Sequence, residues 1–362
     1  MKQLLVSISA FILSFNHLQA QCPTAAVVLS TQAEVNAFPT TYAGCTILPD
    51  GVDLEIMGND ITDLTPLSQI TSIQGILEIR DCATLTNLNG LNNLSIVGND
   101  PLDGFIMRDL PLLNDISALN SLTTVHGEFT IRTCNSLTTL NGLNNVDTAN
   151  GSLIIRDNAL LQNLNGLNSL IHIGETLELV QNPVLTDISA LSNVNSIVGG
   201  PEGGIFIEAN TALTNLTGLG NNNTTVGGNL DLLLNDNLSL CSVPSICNYL
   251  ANPPVGAIIT INTNITGCNT QAEIQAGCVA LSAEENADNN NFTVYPNPAN
   301  DMIYINSSNT NDQIELRNVY GQLIKQVKIT SNKTELNISD LSPGIYYIKT
   351  SAQNALNRFV KL

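Results

Sequence analysis

The chain has no Trp, few aromatic residues of any kind (4%), few charged residues (12%) and only three His. The absence of Trp suits an aliphatic core, and a sugar site built on ring stacking is poorly supplied. Residues 21–280 contain no Lys and only four Arg, against 23 Asp and Glu, so this segment carries the whole net charge of -19. From Leu281 onward eight carboxylates face seven basic residues. A body this acidic argues against nucleic acid and anionic membrane as partners. Chemical motifs are scarce as well: there is no phosphate-binding Gly loop, no zinc spacing and no nucleophile elbow. No cofactor or metal is implied. His126 and His172 fall in turns with no nucleophile in the same column, which leaves general-base catalysis unsupported. Acidic residues are plentiful, but few outward positions are acidic in adjacent rungs; Glu55 with Glu78, and Glu178 with Glu208 on a diagonal, are the neighbouring carboxylates that a glycosidase reading would draw on. The chain reads as a non-enzyme.

Long apolar runs are lacking too, apart from one. Lys2 precedes the run from Leu4 to Phe15, and Leu18-Gln-Ala20 closes it. Residues 1–20 read as a secretory signal peptide cleaved after Ala20, too short and too early to be a membrane span. Cys22 lacks the Leu three positions earlier that a lipoprotein signal wants. No other segment is long and apolar enough to cross a bilayer.

What the chain has in abundance is one repeated phrase. Leu77-Glu-Ile79-Arg-Asp-Cys82, Phe129-Thr-Ile131-Arg-Thr-Cys134, Leu153-Ile-Ile155-Arg-Asp-Asn158 and Leu177-Glu-Leu179-Val-Gln-Asn182 are copies, each followed by an arc such as Leu85, Leu88, Gly90 and Leu91. Starts fall at Leu54, Leu77, Phe105, Phe129, Leu153, Leu177, Ile205, Leu230 and Ile259, mostly 24 residues apart. No copy buries its own leucines, so the copies have to stack. The expected fold is a repeat solenoid with a parallel β-sheet, leucine-rich-repeat-like, with about nine rungs over residues 54–280. The sixth position of the phrase reads Asn59, Cys82, Leu110, Cys134, Asn158, Asn182, Asn210, Asn235 and Asn264. A buried amide in that column bonds the turn backbone of its neighbours.

Eight cysteines in an exported chain point to disulfides. Cys22 and Cys45 flank a helix expected over residues 31–38 and read as a stapled N-terminal cap (residues 21–53). Cys241, Cys247, Cys268 and Cys278 cluster at the last rungs and staple the other end, with connectivity left open. Cys82 and Cys134 differ: two rungs apart in one column, their Cα atoms should lie about 9–10 Å apart, beyond the roughly 7 Å limit for bridging. They are expected to be buried free thiols; a metal or redox pair is the lesser alternative.

From residue 281 to 291 the chain turns polar, acidic and aperiodic, which reads as a linker. Seven short strands follow in residues 292–362, expected to form a small antiparallel β-sandwich. This tail carries Tyr295-Pro296-Asn297-Pro298, Val319-Tyr-Gly321-Gln-Leu323, Leu341-Ser-Pro343-Gly344-Ile-Tyr346-Tyr347 and a final Phe359-Val-Lys361. With those motifs it resembles the C-terminal sorting domain of proteins exported by the type IX secretion system of Bacteroidota. The resemblance implies an address read by the secretion machinery, and a protein that is secreted or held on the cell surface outside the outer membrane. The solenoid, with its Cys-flanked lead-in, resembles the receptor L domain, which implies a binding scaffold without naming its ligand.

One outward column stands apart. Arg80, Arg108, Arg132 and Arg156 occupy the same position in consecutive rungs, and stacked at about 4.8 Å they span roughly 14 Å. Like charges so close need compensation, for which Asp81, Asp109 and Asp157 follow three of them. On one reading the column is an Arg and Asp lattice covering the sheet, inherited as rungs duplicated. On the other it is a cationic stripe that grips a carboxylated or sulfated chain, since guanidinium binds such groups bidentately. Four-residue insertions at residues 100–104 and 200–204 flank the stripe as possible lips, although repeats tolerate extra turn residues at little cost. The function expected is adhesion or ligand capture, of a glycan or a protein, with a structural surface spacer as the alternative and a polysaccharide-processing enzyme behind it.

Overall fold

The computed structural model describes residues 22–221, 224–285, 292–307, 313–318, 322–350 and 356–362. The signal peptide expected over residues 1–20, the later part of the linker (286–291) and Gly321 lie outside the described residues. The chain divides into two compact units, Met1–Glu273 and Ile274–Leu362.

The first unit is a solenoid. The alternation within each phrase puts its first and third residues inward, and Leu54, Ile56, Leu77 and Ile79 are fully buried while Glu55, Glu78 and Arg80 are half-buried on the outer face. The phrases pair in parallel and in register, Leu54 with Leu77, Leu77 with Phe105, and Phe105 with Phe129. The sheet has ten strands, one more than the nine phrases. The extra strand, Val27–Leu29, belongs to the N-terminal cap and pairs with Leu54, Glu55 and Ile56. It carries no recognisable phrase, so the repeat alone does not reveal it.

A second parallel sheet is built from the segments that precede the phrases, as far as the phrase that starts at Leu230. Its eight strands are two residues long, from Ile47–Leu48 to Thr225–Val226. Each sets one apolar side chain inward, among them Leu48, Ile73, Val97, Val125 and Ile173. His172 therefore sits in a strand of this sheet rather than in a turn. The arc between the sheets holds the repeated leucines, with short 3-10 helices at Ser117–Ser121 and Ser189–Asn193. The small residue of the arc is needed because rungs touch there: a Cβ on Gly90 would collide with the carbonyl of Leu64, and one on Gly142 with that of Ile116. Both glycines also have φ near +120°, a conformation that side chains disfavour.

The sixth-position column forms a buried ladder. Each Asn carbonyl oxygen accepts the backbone N–H of the rung before it: Asn158 from Cys134 (3.0 Å), Asn182 from Asn158 (3.2 Å), Asn210 from Asn182 (3.1 Å), Asn235 from Asn210 (3.0 Å) and Asn264 from Asn235 (3.0 Å). Each amide nitrogen donates to a strand carbonyl of that same earlier rung, as Asn182 does to Ile155 at 2.9 Å. Asn269 ends the series by accepting from the backbone of Asn264 at 3.1 Å. At the other end the expectation fails for Asn59, which is exposed. The buried part of the column begins with Cys82, Leu110 and Cys134.

Both caps are stapled. Cys22 is bonded to Cys45 and Cys241 to Cys268, and Cys247 and Cys278 are also in disulfides. The cap helix runs Gln32–Thr41, three residues past the expected end. Thr31 and Glu34 form a capping box at its start, and beyond Pro39 the hydroxyls of Thr40 and Thr41 bond the carbonyl of Ala37 at 2.8 and 3.0 Å. The C-terminal helix Gln271–Glu285 overturns the expectation of an irregular linker for its first five residues, 281–285. Among the described residues no helix is long and apolar enough to cross a membrane.

The second unit contains the seven expected strands, antiparallel and split into sheets of three and four. Ile303, Ile305 and Leu336 from one sheet and Ile314, Leu316, Ile348 and Phe359 from the other share one buried core.

Candidate functional site

The outer face of the ten-stranded sheet is where the four body arginines meet. Register places Arg80 beside Arg108, Arg108 beside Arg132 and Arg132 beside Arg156. The column begins next to Met57 and ends at Val180. The residue after each Arg has a left-handed backbone, with φ of 53° at Asp81, 58° at Asp109, 53° at Thr133 and 59° at Asp157. That turn redirects the chain so that the next residue, the ladder position, points inward. Asp tolerates it better than most residues, whereas Thr, being β-branched, is strained in it.

All four guanidinium groups are paired, but unequally. Arg80 contacts Glu55, Glu78 (3.7 Å) and Asp81 (2.6 Å). Arg108 contacts Glu78 at 2.8 Å and Asp109 at 3.1 Å. Among the described residues Arg132 reaches only Asp157, at 3.2 Å, and shares it with Arg156, which lies 3.4 Å from Asp157 and 3.0 Å from Glu178. Side-chain exposure follows the pairing: 22% for Arg80, 35% for Arg108, 52% for Arg132 and 39% for Arg156. Hydrogen bonding to Asp81 raises the Arg80 pKa despite partial burial, helped by Glu55. Burial pulls the Arg108 pKa down, but Glu78 outweighs it and the net shift is upward.

Six carboxylates thus serve four cations, an excess of two negative charges. The column is an ion-pair lattice, and its one weakly compensated member is Arg132. Sequence reasoning named Asp81, Asp109 and Asp157 but missed Glu55, Glu78 and Glu178 as partners. The available signal was the spacing: in Glu78-Ile79-Arg80, residues two apart in a strand share a face.

Beyond rung five the outer face turns acidic. Glu178 is level with Phe206, and Asp231 lies on the far side of that ring. Burial, then Asp231 and Glu178, raise the Glu208 pKa. His126 shares a hydrogen bond with Asn150 at 2.9 Å. Among the described residues no group of three or more His, Cys, Asp and Glu is arranged to hold a metal ion. Cys82 and Cys134 are free and buried, and burial raises their pKa to about 11 and about 12. Neither thiol is reactive in that state.

In the second unit the motif residues converge. The Asn297 carbonyl oxygen accepts the backbone N–H of Val360 at 2.9 Å, and its amide donates to the carbonyl of Arg358 at 3.2 Å. Ala299 bridges to Lys361, a residue only 8% exposed. Tyr346 stacks on Phe359 at 5.8 Å and donates its hydroxyl to the carbonyl of Ser342 at 2.9 Å. Tyr295 stacks on Tyr304 at 5.6 Å. The Tyr295-Pro296 and Asn297-Pro298 bonds are cis, and Gly344, after Pro343, opens its strand with φ of 155°. The first and last motifs of the tail, some 60 residues apart in sequence, are therefore one structural unit.

Residues 44–107 match the family model of the receptor L domain, and residues 293–362 match that of the secretion system C-terminal sorting domain. No curated protein matches the chain. Neither matched domain is an enzymatic one. The solenoid thus begins as a receptor L domain, and the chain ends in a C-terminal sorting domain that marks it for export by the type IX secretion system, to the cell surface or beyond it.

Proposed function

We propose that the exported protein captures a ligand, a glycan or a protein, on the outer face of its ten-stranded sheet between the second and seventh rungs. A solenoid sheet offers an extended surface with a repeated lattice of side chains, suited to an elongated partner. The observation that carries the reading is the gradient along the Arg column, from a threefold-paired Arg80 to an Arg132 that is half exposed and has half a carboxylate to itself. A guanidinium left so open retains donors for a ligand.

A surface spacer is the second reading, favoured by the carboxylate excess along the same column. The two separate in one experiment. The full chain and a variant with Arg108→Ala and Arg132→Ala are applied to an array of neutral, carboxylated and sulfated glycans. Binding by the first and its loss in the second supports capture of a glycan on this face; absent or equal binding makes the Arg column structural, as the spacer reading has it, and leaves protein ligands to be tested.

A further inference from the structure

We infer that the fourth rung holds a subsite for one anionic group, a carboxylate or a sulfate ester, carried by an otherwise neutral sugar chain. The inference rests on the capture reading above and narrows it to Arg132 and its neighbour Arg156. Three features carry it.

The first is a gap in a column. The residue after the Arg is Asp in rungs two, three and five, and Asp81 and Asp109 each bond their own Arg at 2.6 and 3.1 Å. In rung four it is Thr133, with the same left-handed backbone (φ 53°). Arg132 therefore lacks the carboxylate that its equivalents have, and Arg156 has to lend it Asp157. The strained Thr occupies a position where Asp would be easier to accommodate.

The second is the surrounding charge. The outer positions level with one another in rungs three to five are Ile106, Thr130 and Ile154, with no carboxylate, whereas Glu78 and Glu178 stand at either end. The one carboxylate on the outer face of strand Glu128–Arg132, Glu128, accepts the hydroxyl of Thr130 at 2.6 Å rather than pairing with Arg132. The solenoid body holds 23 acidic residues and four Arg, and the six carboxylates along the column outnumber its cations. A polyanion would be repelled along most of its length, while a single anionic group reaching Arg132 avoids the acidic ends.

The third is what the face lacks. Among the described residues, the large hydrophobic side chains on the outward strand positions of rungs three to seven, Ile106, Ile154 and Phe206, are only partly exposed, and none stands free on the surface. A protein partner needs an apolar or aromatic anchor to bury at the centre of its footprint. A hydrated chain of sugars does not.

The test uses the full chain and matched oligosaccharides of glucose, galactose and mannose in three forms: neutral, ending in one uronic acid, and carrying one sulfate ester, with dextran sulfate as the polyanion. Affinities are measured for the wild type, Thr133→Asp and Thr133→Asn. Thr133→Asp inserts the missing carboxylate at a backbone position that its neighbours show to accept Asp. The singly charged sugars should bind the wild type roughly tenfold or more tighter than their neutral counterparts, the effect of one charge-assisted contact. Thr133→Asp should abolish that preference, and Thr133→Asn should keep it. Preference for the uronate or for the ester tells which anion is read. The inference is overturned if charged and neutral sugars bind alike, if Thr133→Asp keeps the preference, or if dextran sulfate binds tightest; in those cases capture on the face still stands. Should Thr133→Asp not fold, Arg132→Gln, altering an exposed side chain, should show the same loss. No binding of any sugar by the wild type overturns this inference together with the glycan form of the capture reading, and leaves a protein ligand as its remaining form.

Discussion

Replacing Asn182 by Leu tests the ladder at its centre. The side chain accepts the backbone N–H of Asn158 at 3.2 Å and donates to the carbonyls of Ile155 at 2.9 Å and Val180 at 3.2 Å, all at a position with no exposure. Leu has a similar volume, so no large cavity forms. The N–H of Asn158 then has no acceptor, at about 1–3 kcal/mol, and the two hydrogens of the Asn182 amide lose bonds worth about 0.5–1.5 kcal/mol each, while the Asn158 amide, which also reaches Asn182 at 3.2 Å, keeps its bond to Ile131. Burying Leu returns about 1.5–3 kcal/mol. The net loss is about 2 kcal/mol. Repeat arrays do not always unfold in one step, so the assay is hydrogen exchange resolved at the amide of Asn158 as well as urea unfolding. Exchange there should accelerate by roughly thirtyfold, the equivalent of about 2 kcal/mol. Unchanged exchange at Asn158, or a variant as stable as the parent, would refute the claim that these amides hold the rungs together.

Two more outcomes rest on local geometry. Leu234 is half exposed and has φ of 58°; Leu234→Gly removes a left-handed strain of about 1–2 kcal/mol and adds about 0.5–1 kcal/mol of backbone entropy. A modest rise in melting temperature is expected, and a fall would mean that the side chain has a packing role. Glu208 has a raised pKa through burial, then Asp231 and Glu178. A carboxyl whose folded pKa lies above its unfolded one binds more protons when native, so stability falls as pH rises from the unfolded to the folded value and stays reduced above it. Glu208→Gln should therefore stabilise the protein at neutral pH and not at acid pH below the ordinary Glu range, as seen in paired thermal melts. Equal effects at both would show that the shift is not coupled to folding.

The long sheet was legible because its strands recur with fixed chemistry: Leu77, Phe129 and Leu153 each head the same run of apolar residue, Arg and inward-turning ladder residue. The second sheet was not, since a pair such as Thr148–Ala149 is too short for alternation to be seen. Strand Val27–Leu29 pairs through its backbone alone and needs no phrase. The cap helix runs past Phe38 because a Pro near a C-terminus, here Pro39, removes only one bond, to Val35. At the site, the Arg column was readable from spacing and its degree of compensation was not. Side-chain reach decides that: Arg132 spans to Asp157 in the next rung, 25 residues away, and the sequence shows only that its own neighbour is Thr133.

The ladder also has a direction, and this governs how the protein could be shortened. Each Asn serves the rung before it, so a cut that removes a later rung strands a buried N–H on the one that remains. Within this column, removing an earlier rung strands only a side-chain amide, which water satisfies. A solenoid of this kind should therefore survive trimming from its beginning, given a new cap, and fail when trimmed from its end unless the Asn264 and Asn269 closure is transplanted with the cut. The rungs look interchangeable in sequence, but along the Asn column they depend on one another in a single direction, like courses of brick that lean on the next one laid.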